Sequence, residues 1–234
     1  IDATDLYEKS RDVAKSFINA NSTNEIIFTR GATDSINIIA NSLAEHLKKG
    51  DKIVVTELEH HSNYLPWMNL CKKLELELKI IPISKEGILS EDDIINNCDD
   101  ATKVLSLTHM SNVTGQILDI KKIKSEIKND IYVAVDGCQS IAHLNIDVKD
   151  LDCDFYSFSS HKLYGPSGIG IMYGKENILD KLNPPTLGGG MINEVSSNDF
   201  SYAMLPNKFE PGTPSIEAAI GFKAAMEYLN SINY

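Results

Sequence analysis

Arginine is nearly absent from these 234 residues, with only Arg11 and Arg30 present. With a net charge of -11, a pI near 5.0 and no lysine-rich face interleaved with stacking aromatics, this argues against nucleic acid as a partner. Lys121, Lys122, Lys124 and Lys128 read instead as one solvated helix face. Cysteine is also scarce. Cys71, Cys98, Cys138 and Cys153 form no C-x-x-C pair and no zinc spacing, so neither a disulfide framework nor a structural metal is expected, and a reducing compartment fits. No apolar run is long enough to span a membrane, and there is no signal peptide, repeat or low-complexity tract. A cytoplasmic location follows as the expectation, with an organelle left open because the chain starts directly in a helical pattern. What the chain does have is 42% hydrophobic residues, ample for the core of one large domain.

Along the chain, strand patterns alternate with helical ones. Apolar residues keep helical spacing from Leu6 to Ile18, and Glu25–Thr29 reads as a strand that hands over to Arg30-Gly31-Ala32-Thr33 and a helix ending near Leu47. Lys52–Thr56 is the next strand, followed by a loop over Glu57–Pro66 with paired histidines and a helix over Trp67–Leu74. Further strands are expected at Leu78–Ile83, Lys103–Thr108, Ile131–Asp136 and Asp154–Ser159, with helices after Ser90 and over Asp119–Lys128. Ile169–Tyr173 reads as an antiparallel strand, Pro184–Pro206 as a mobile or partner-facing loop, and Ile216–Leu229 as a last helix. The alternation predicts an α/β fold: a doubly wound, mostly parallel sheet with helices on both faces.

In such a sheet the ligand crevice lies beyond the carboxyl ends of the strands. Thr33, His60, Asn112, Asp136 and Lys162 each follow a different expected strand, so the topology gathers them. Asp136-Gly-Cys-Gln139 followed by Ser159-Ser160-His161-Lys162 reads as the grip of pyridoxal phosphate. That cofactor needs a lysine to form a Schiff base and a carboxylate to keep its pyridine nitrogen protonated. Lys162 and Asp136 supply the pair, Gln139 can reach the phenolic oxygen, and Ser159 and His161 are donors suited to the phosphate. Gly31-Ala32-Thr33 opens a helix whose N-terminus is a ready anion site. Each of these residues taken singly is more often scaffolding than chemistry; their common place after buried strands is what favours the site.

Several blocks in fixed order carry a wider resemblance: Arg30-Gly-Ala-Thr-Asp-Ser-Ile-Asn37, Glu59-His-His-Ser-Asn-Tyr-Leu-Pro-Trp67, Ser111-Asn-Val-Thr-Gly115, Asp136-Gly-Cys-Gln139, Asp152-Cys-Asp-Phe155, His161-Lys-Leu-Tyr-Gly-Pro-Ser-Gly-Ile-Gly170 and Phe209-Glu-Pro-Gly-Thr-Pro214. Over nearly its whole length the chain resembles the large domain of a class V aminotransferase-fold enzyme, a fold type I pyridoxal phosphate protein, and within that group the cysteine desulfurases of the SufS and CsdA type. The resemblance implies Lys162 as the Schiff-base lysine and carrier of the Cα proton, Asp136 on the pyridine nitrogen, Gln139 on the phenolic oxygen and His60 stacked on the ring. It implies Thr33, Ser159 and His161 on the phosphate, Asn112 near the cofactor's oxygen and the substrate carboxylate, and Thr213 reaching the phosphate of a neighbouring subunit in a homodimer. The implied reaction converts L-cysteine to L-alanine and passes sulfur as a persulfide to an acceptor protein of the SufE or SufU kind for iron–sulfur cluster assembly.

The chain departs from that pattern in three ways. Family members are close to twice as long, and the resemblance places their persulfide-forming cysteine and substrate-binding arginine in a small C-terminal domain, so residues 1–234 read as a truncated large domain without an N-terminal segment or that small domain. None of the four cysteines matches the nucleophile; Cys138, between Asp136 and Gln139, reads as structural. Ala32 stands where many relatives have threonine. The expectation is a chain inactive alone. Rival readings are a selenocysteine lyase or another class V lyase or epimerase, a non-catalytic interaction domain retaining the fold, and a metal hydrolase on Glu59-His60-His61 with His109 or His161, disfavoured because adjacent histidines point in different directions and lack i, i+4 spacing.

Overall fold

A computed structural model describes residues 2–232. A seven-stranded sheet forms from β1 (Ile26–Thr29), β2 (Lys52–Thr56), β3 (Glu77–Ile81), β4 (Thr102–Thr108), β5 (Tyr132–Asp136), β6 (Phe155–Ser159) and β7 (Gly170–Gly174), in the spatial order β1-β7-β6-β5-β4-β2-β3. The run β6-β5-β4-β2-β3 is parallel, and β7 pairs antiparallel with both β6 and β1. Doubly wound, mostly parallel pairing is what the alternating pattern predicts. Central strands such as β2, β5 and β6 are buried almost throughout because both faces are covered.

One face packs under α1 (Asp2–Phe17), α4 (Glu91–Asn96), α5 (Ile120–Glu126) and α8 (Ile216–Ser231), through Ala14, Ile94, Ile123 and Phe222. The other packs under α2 (Ala32–Leu43) and α3 (His61–Leu74), through Ile36, Ile39, Trp67 and Leu70. Two short helices, α6 (Val148–Leu151) and α7 (Glu176–Leu179), bridge strands and are too short to show a period in the sequence.

Two expectations need correction. Helix α3 begins at His61 rather than Trp67, with Pro66 inside it. Pro66 is the sixth helical residue, so it leaves the Ser62 carbonyl without its i+4 donor, while His60 serves as the N-cap. The span Pro184–Pro206 is not wholly irregular: β8 (Ile192–Val195) and β9 (Phe200–Tyr202) make an antiparallel hairpin apart from the main sheet. Its Val195 is 73% exposed, so no core-facing stripe marks it in the sequence.

A buried ion pair holds the outer layer to the sheet edge. Arg11, fully buried on α1, donates from Nη1 and Nη2 to the Glu210 carboxylate at 2.7 and 3.0 Å, and from Nη1 to the carbonyl of Ile26 at 2.7 Å. Glu210 also accepts from the Phe28 N–H at 2.7 Å and the Tyr7 hydroxyl at 3.0 Å. Four donors thus converge on one carboxylate in the segment that leads to Thr213.

Candidate functional site

At the carboxyl ends of β1, β2, β4, β5 and β6 the loops enclose a cavity of about 170 Å³. Thr33, His60, Asn112, Asp136, Gln139, Ser159, His161 and Lys162 all line it, so eight of the nine residues expected from the sequence meet in one place. The ninth does not. Thr213 lines a separate groove of about 400 Å³ with Tyr7, Arg30, Asp34 and Pro211. A third, open depression touches Arg30, Gly31, Thr33, Ser159 and His161 and lies along α2.

One end of the cavity is built for an anion. Gly31 precedes α2 with a φ of +148°, a conformation side chains rarely adopt, and a Cβ on it would lie 3.2 Å from Ser159 Oγ. Gly170 backs onto the same turn: a Cβ there would come within 2.6 Å of Gly31 Cα. The two glycines let β7 press the turn against β6, and the Ala32 N–H then donates to Ser159 Oγ at 2.8 Å. Gly31 offers no side-chain cap and Ser159 takes only the Ala32 N–H, so the next N–H groups and the positive end of the helix dipole stand beside Ser159, His161 and Thr33. The loss of a hydroxyl at Ala32 leaves the backbone donors in place.

The other end holds a buried carboxylate. Asp136 closes β5, is 4% exposed, and accepts from the Cys138 N–H at 2.9 Å. Burial pushes its carboxyl above the usual range, opposed by the Cys138 hydrogen bonds and then by the electrostatic pull of His60 and Lys162. The turn after it is fixed from below: a Cβ on Gly137 would fall 2.0 Å from the Tyr156 ring, so glycine lets the chain lie flat on that ring. The Tyr156 hydroxyl lies 2.6 Å from Ser140 Oγ and 3.0 Å from Nδ1 of buried His109, whose imidazole burial pushes down to about 4, keeping it neutral at physiological pH. Lys162 sits exposed in the 3-10 turn Ser160–Leu163 that follows β6, on a tight corner closed by the Gly165 N–H to the Ser160 carbonyl at 3.0 Å.

Glu59 is the residue that sequence reasoning misplaces, naming it only in its motif and in the metal-hydrolase alternative. Its Oε1 accepts from Thr56 Oγ1 at 2.7 Å and the Thr108 N–H at 3.0 Å, and its Oε2 from Asn63 Nδ2 at 2.6 Å. Asn63 in turn accepts from Ser106 Oγ at 2.7 Å. One carboxylate therefore ties β2, β4 and the first turn of α3 together, immediately before His60. Burial pushes the Glu59 carboxyl up to about 8; three donors pull it down, and nearby Asp136 adds to the upward push. Ser62 is likewise unforeseen, and lines the cavity beside His60 and Thr33. Only knowledge of which strands are neighbours could have singled out Glu59.

The donor set fits pyridoxal phosphate: backbone and hydroxyl donors for a phosphate at one end, a buried carboxylate for a basic ring nitrogen at the other, and an amine between them. It does not fit the metal alternative. Among the described residues no group of three or more His, Cys, Asp or Glu side chains is placed to hold a metal ion. Burial raises the thiols of Cys71 and Cys98 to about 11 and those of Cys138 and Cys153 well above the ordinary value.

Comparison with known proteins agrees with this geometry. The chain is 47% identical over 234 residues to a probable cysteine desulfurase of Staphylococcus epidermidis, covering 99% of this chain and 57% of the relative. It is 46% identical, with the same coverage, to a probable cysteine desulfurase of Staphylococcus aureus. Among solved structures it superposes on the cysteine desulfurase CsdA of Escherichia coli with a TM-score of 0.93 and 37% identity, covering 97% of this chain and 58% of that one. A cysteine desulfurase from Thermococcus onnurineus, solved in its apo form, gives 0.94 and 39%, covering 98% and 57%. The chain thus spans a little over half the length of these relatives. The aminotransferase class-V model matches residues 1–234, and the chain belongs to that family.

Proposed function

We propose that this chain is the pyridoxal phosphate-binding large domain of a cysteine desulfurase, serving a reaction that takes L-cysteine to L-alanine and delivers sulfur as a persulfide. The observation that carries the reading is the meeting of Asp136 and Lys162 in one cavity whose far end is the start of α2 against Ser159. In this reading Thr33, Ser159, His161 and the α2 N–H groups hold the phosphate, Gln139 donates to the phenolic oxygen, and His60 covers the ring. Bound there, the cofactor supplies an electron sink for the charge left when a substrate Cα loses its proton. Asp136, as a carboxylate, keeps the ring nitrogen protonated and so deepens that sink. Lys162 carries the Cα proton, and Asn112 orients the substrate carboxylate.

Thr213, outside the cavity, suits contact with a second copy of the chain, which supports a homodimer with shared sites. The persulfide step finds no suitable thiol in these 234 residues, so the chain alone releases no sulfur. Transfer to a SufE- or SufU-like acceptor and use in iron–sulfur cluster assembly complete the proposal. The test is the visible spectrum of the purified chain with pyridoxal phosphate, before and after borohydride, with mass spectrometry of the adduct. A yellow species fixed on Lys162 supports the reading; a folded chain with no adduct, or with label scattered over surface lysines, contradicts it.

A further inference from the structure

His60 is the N-cap of α3, and its own side chain makes the cap. The Ser62 N–H donates to His60 Nδ1 at 3.1 Å, and Ser62 Oγ lies 3.0 Å from the same nitrogen and 2.8 Å from Thr33 Oγ1. A backbone N–H can only donate. Nδ1 must therefore offer its lone pair, and a neutral imidazole then carries its one proton on Nε2. The cap is held on both sides: the Asn63 N–H donates to the His60 carbonyl at 2.8 Å, and Glu59 anchors the preceding residue with three accepted hydrogen bonds. His60 Nε2 has no hydrogen-bond partner among the described residues, while the side chain lines the cavity with Asp136 and Lys162.

We propose that the first turn of α3 locks neutral His60 as the Nε2–H tautomer, with the backbone N–H of Ser62 as the positioning group. The imidazole then meets the cavity as a hydrogen-bond donor. It gives a hydrogen bond to an electron-rich ligand atom, a thiolate or carboxylate oxygen, and cannot accept one at that nitrogen without first losing its proton. What receives the hydrogen bond rests on the reading of the cavity as a cofactor and substrate site; the tautomer does not.

The experiment is a two-bond proton–nitrogen NMR correlation on the chain carrying ¹⁵N-histidine, at a pH where the ring is neutral, with His60→Asn to assign its signals. One net hydrogen bond of about 1 kcal/mol favours the Nε2–H form roughly fivefold, and the cap geometry predicts at least that excess. Ser62→Ala keeps the N–H and should keep the tautomer. A Nδ1–H form, or an even mixture, in the wild-type chain overturns the proposal, and so does a switch in Ser62→Ala, which would assign the lock to the hydroxyl. Added pyridoxal phosphate should move the Nε2 signal and leave the Nδ1 signal in place. If the Lys162 adduct forms and Nδ1 becomes protonated, this inference fails while the functional reading stands. If a folded chain forms no adduct yet shows the Nε2–H pattern, the reverse holds.

Discussion

Two carboxylates, Asp136 and Glu59, lie near each other for different reasons. In the proposed function Asp136 would meet the ring nitrogen of the cofactor, and an anion there would keep that nitrogen charged. Replacing Asp136 with Asn keeps the shape and removes the charge; retention of pyridoxal phosphate, measured by absorbance during dialysis, should fall roughly 10- to 100-fold, the factor set by a charge-assisted hydrogen bond of about 1.5–3 kcal/mol. Glu59 faces inward, to protein donors. Its carboxyl is pushed from the ordinary 4.5 up to about 8, so its contribution to folding is fully present below 4.5 and is lost as pH rises through about 8. The urea midpoint of the chain should therefore decline between pH 5 and 8. Glu59→Gln should flatten that decline while lowering the midpoint throughout, because the new amide turns a donor toward Asn63 Nδ2. The pair also marks where sequence reading stops. Asp136, Lys162 and their neighbours were legible because each ends a recognisably apolar strand. The work of Glu59 depends on Thr108, which is brought beside it only by the pairing of β2 with β4.

Among the elements, the long helices and central strands were readable from their periods, and the order of their loops predicted which residues would share a cavity. The start of α3 was not readable, since the paired histidines and Pro66 look like loop chemistry until His60 is seen as a cap. The hairpin of β8 and β9 escaped notice because neither strand buries a face against the core. Thr213 was readable as a motif but not as a place. Its segment is fixed by the Arg11–Glu210 pair, a contact between residues 199 positions apart. Removing one partner of a buried ion pair leaves the other uncompensated, at a cost of roughly 3–5 kcal/mol. Glu210→Gln should accordingly lower the thermal midpoint by several degrees, and hydrogen exchange should quicken at Phe28 and in the segment around Thr213 before it does in β4 or β5. Equal quickening in all strands would mean that the pair supports the whole fold and not this edge.

At the level of the whole molecule, the proposed function has a place for a cofactor but, with all four thiols raised by burial, no thiol suited to take sulfur from a substrate. Incubation of the chain with pyridoxal phosphate and L-cysteine should yield no alanine above the rate of free cofactor, measured by amino-acid analysis; alanine in catalytic amounts would show that one of the four cysteines acts after all. The shape of the sheet adds a consequence in time. The anion-binding end joins Ala32, just after the first strand, to Ser159, at the end of the sixth, and the strand that presses them together, β7, comes later still. A ribosome delivers these parts in that order. For most of synthesis the first strand has no neighbour, and the acidic end of the cavity, complete once β6 is laid beside β5, waits for its opposite wall. Under the proposed function a nascent chain would thus acquire its anchorage for phosphate only after β7 has emerged, and a stall between Lys162 and that strand would leave the lysine made but the turn at Gly31 without its support.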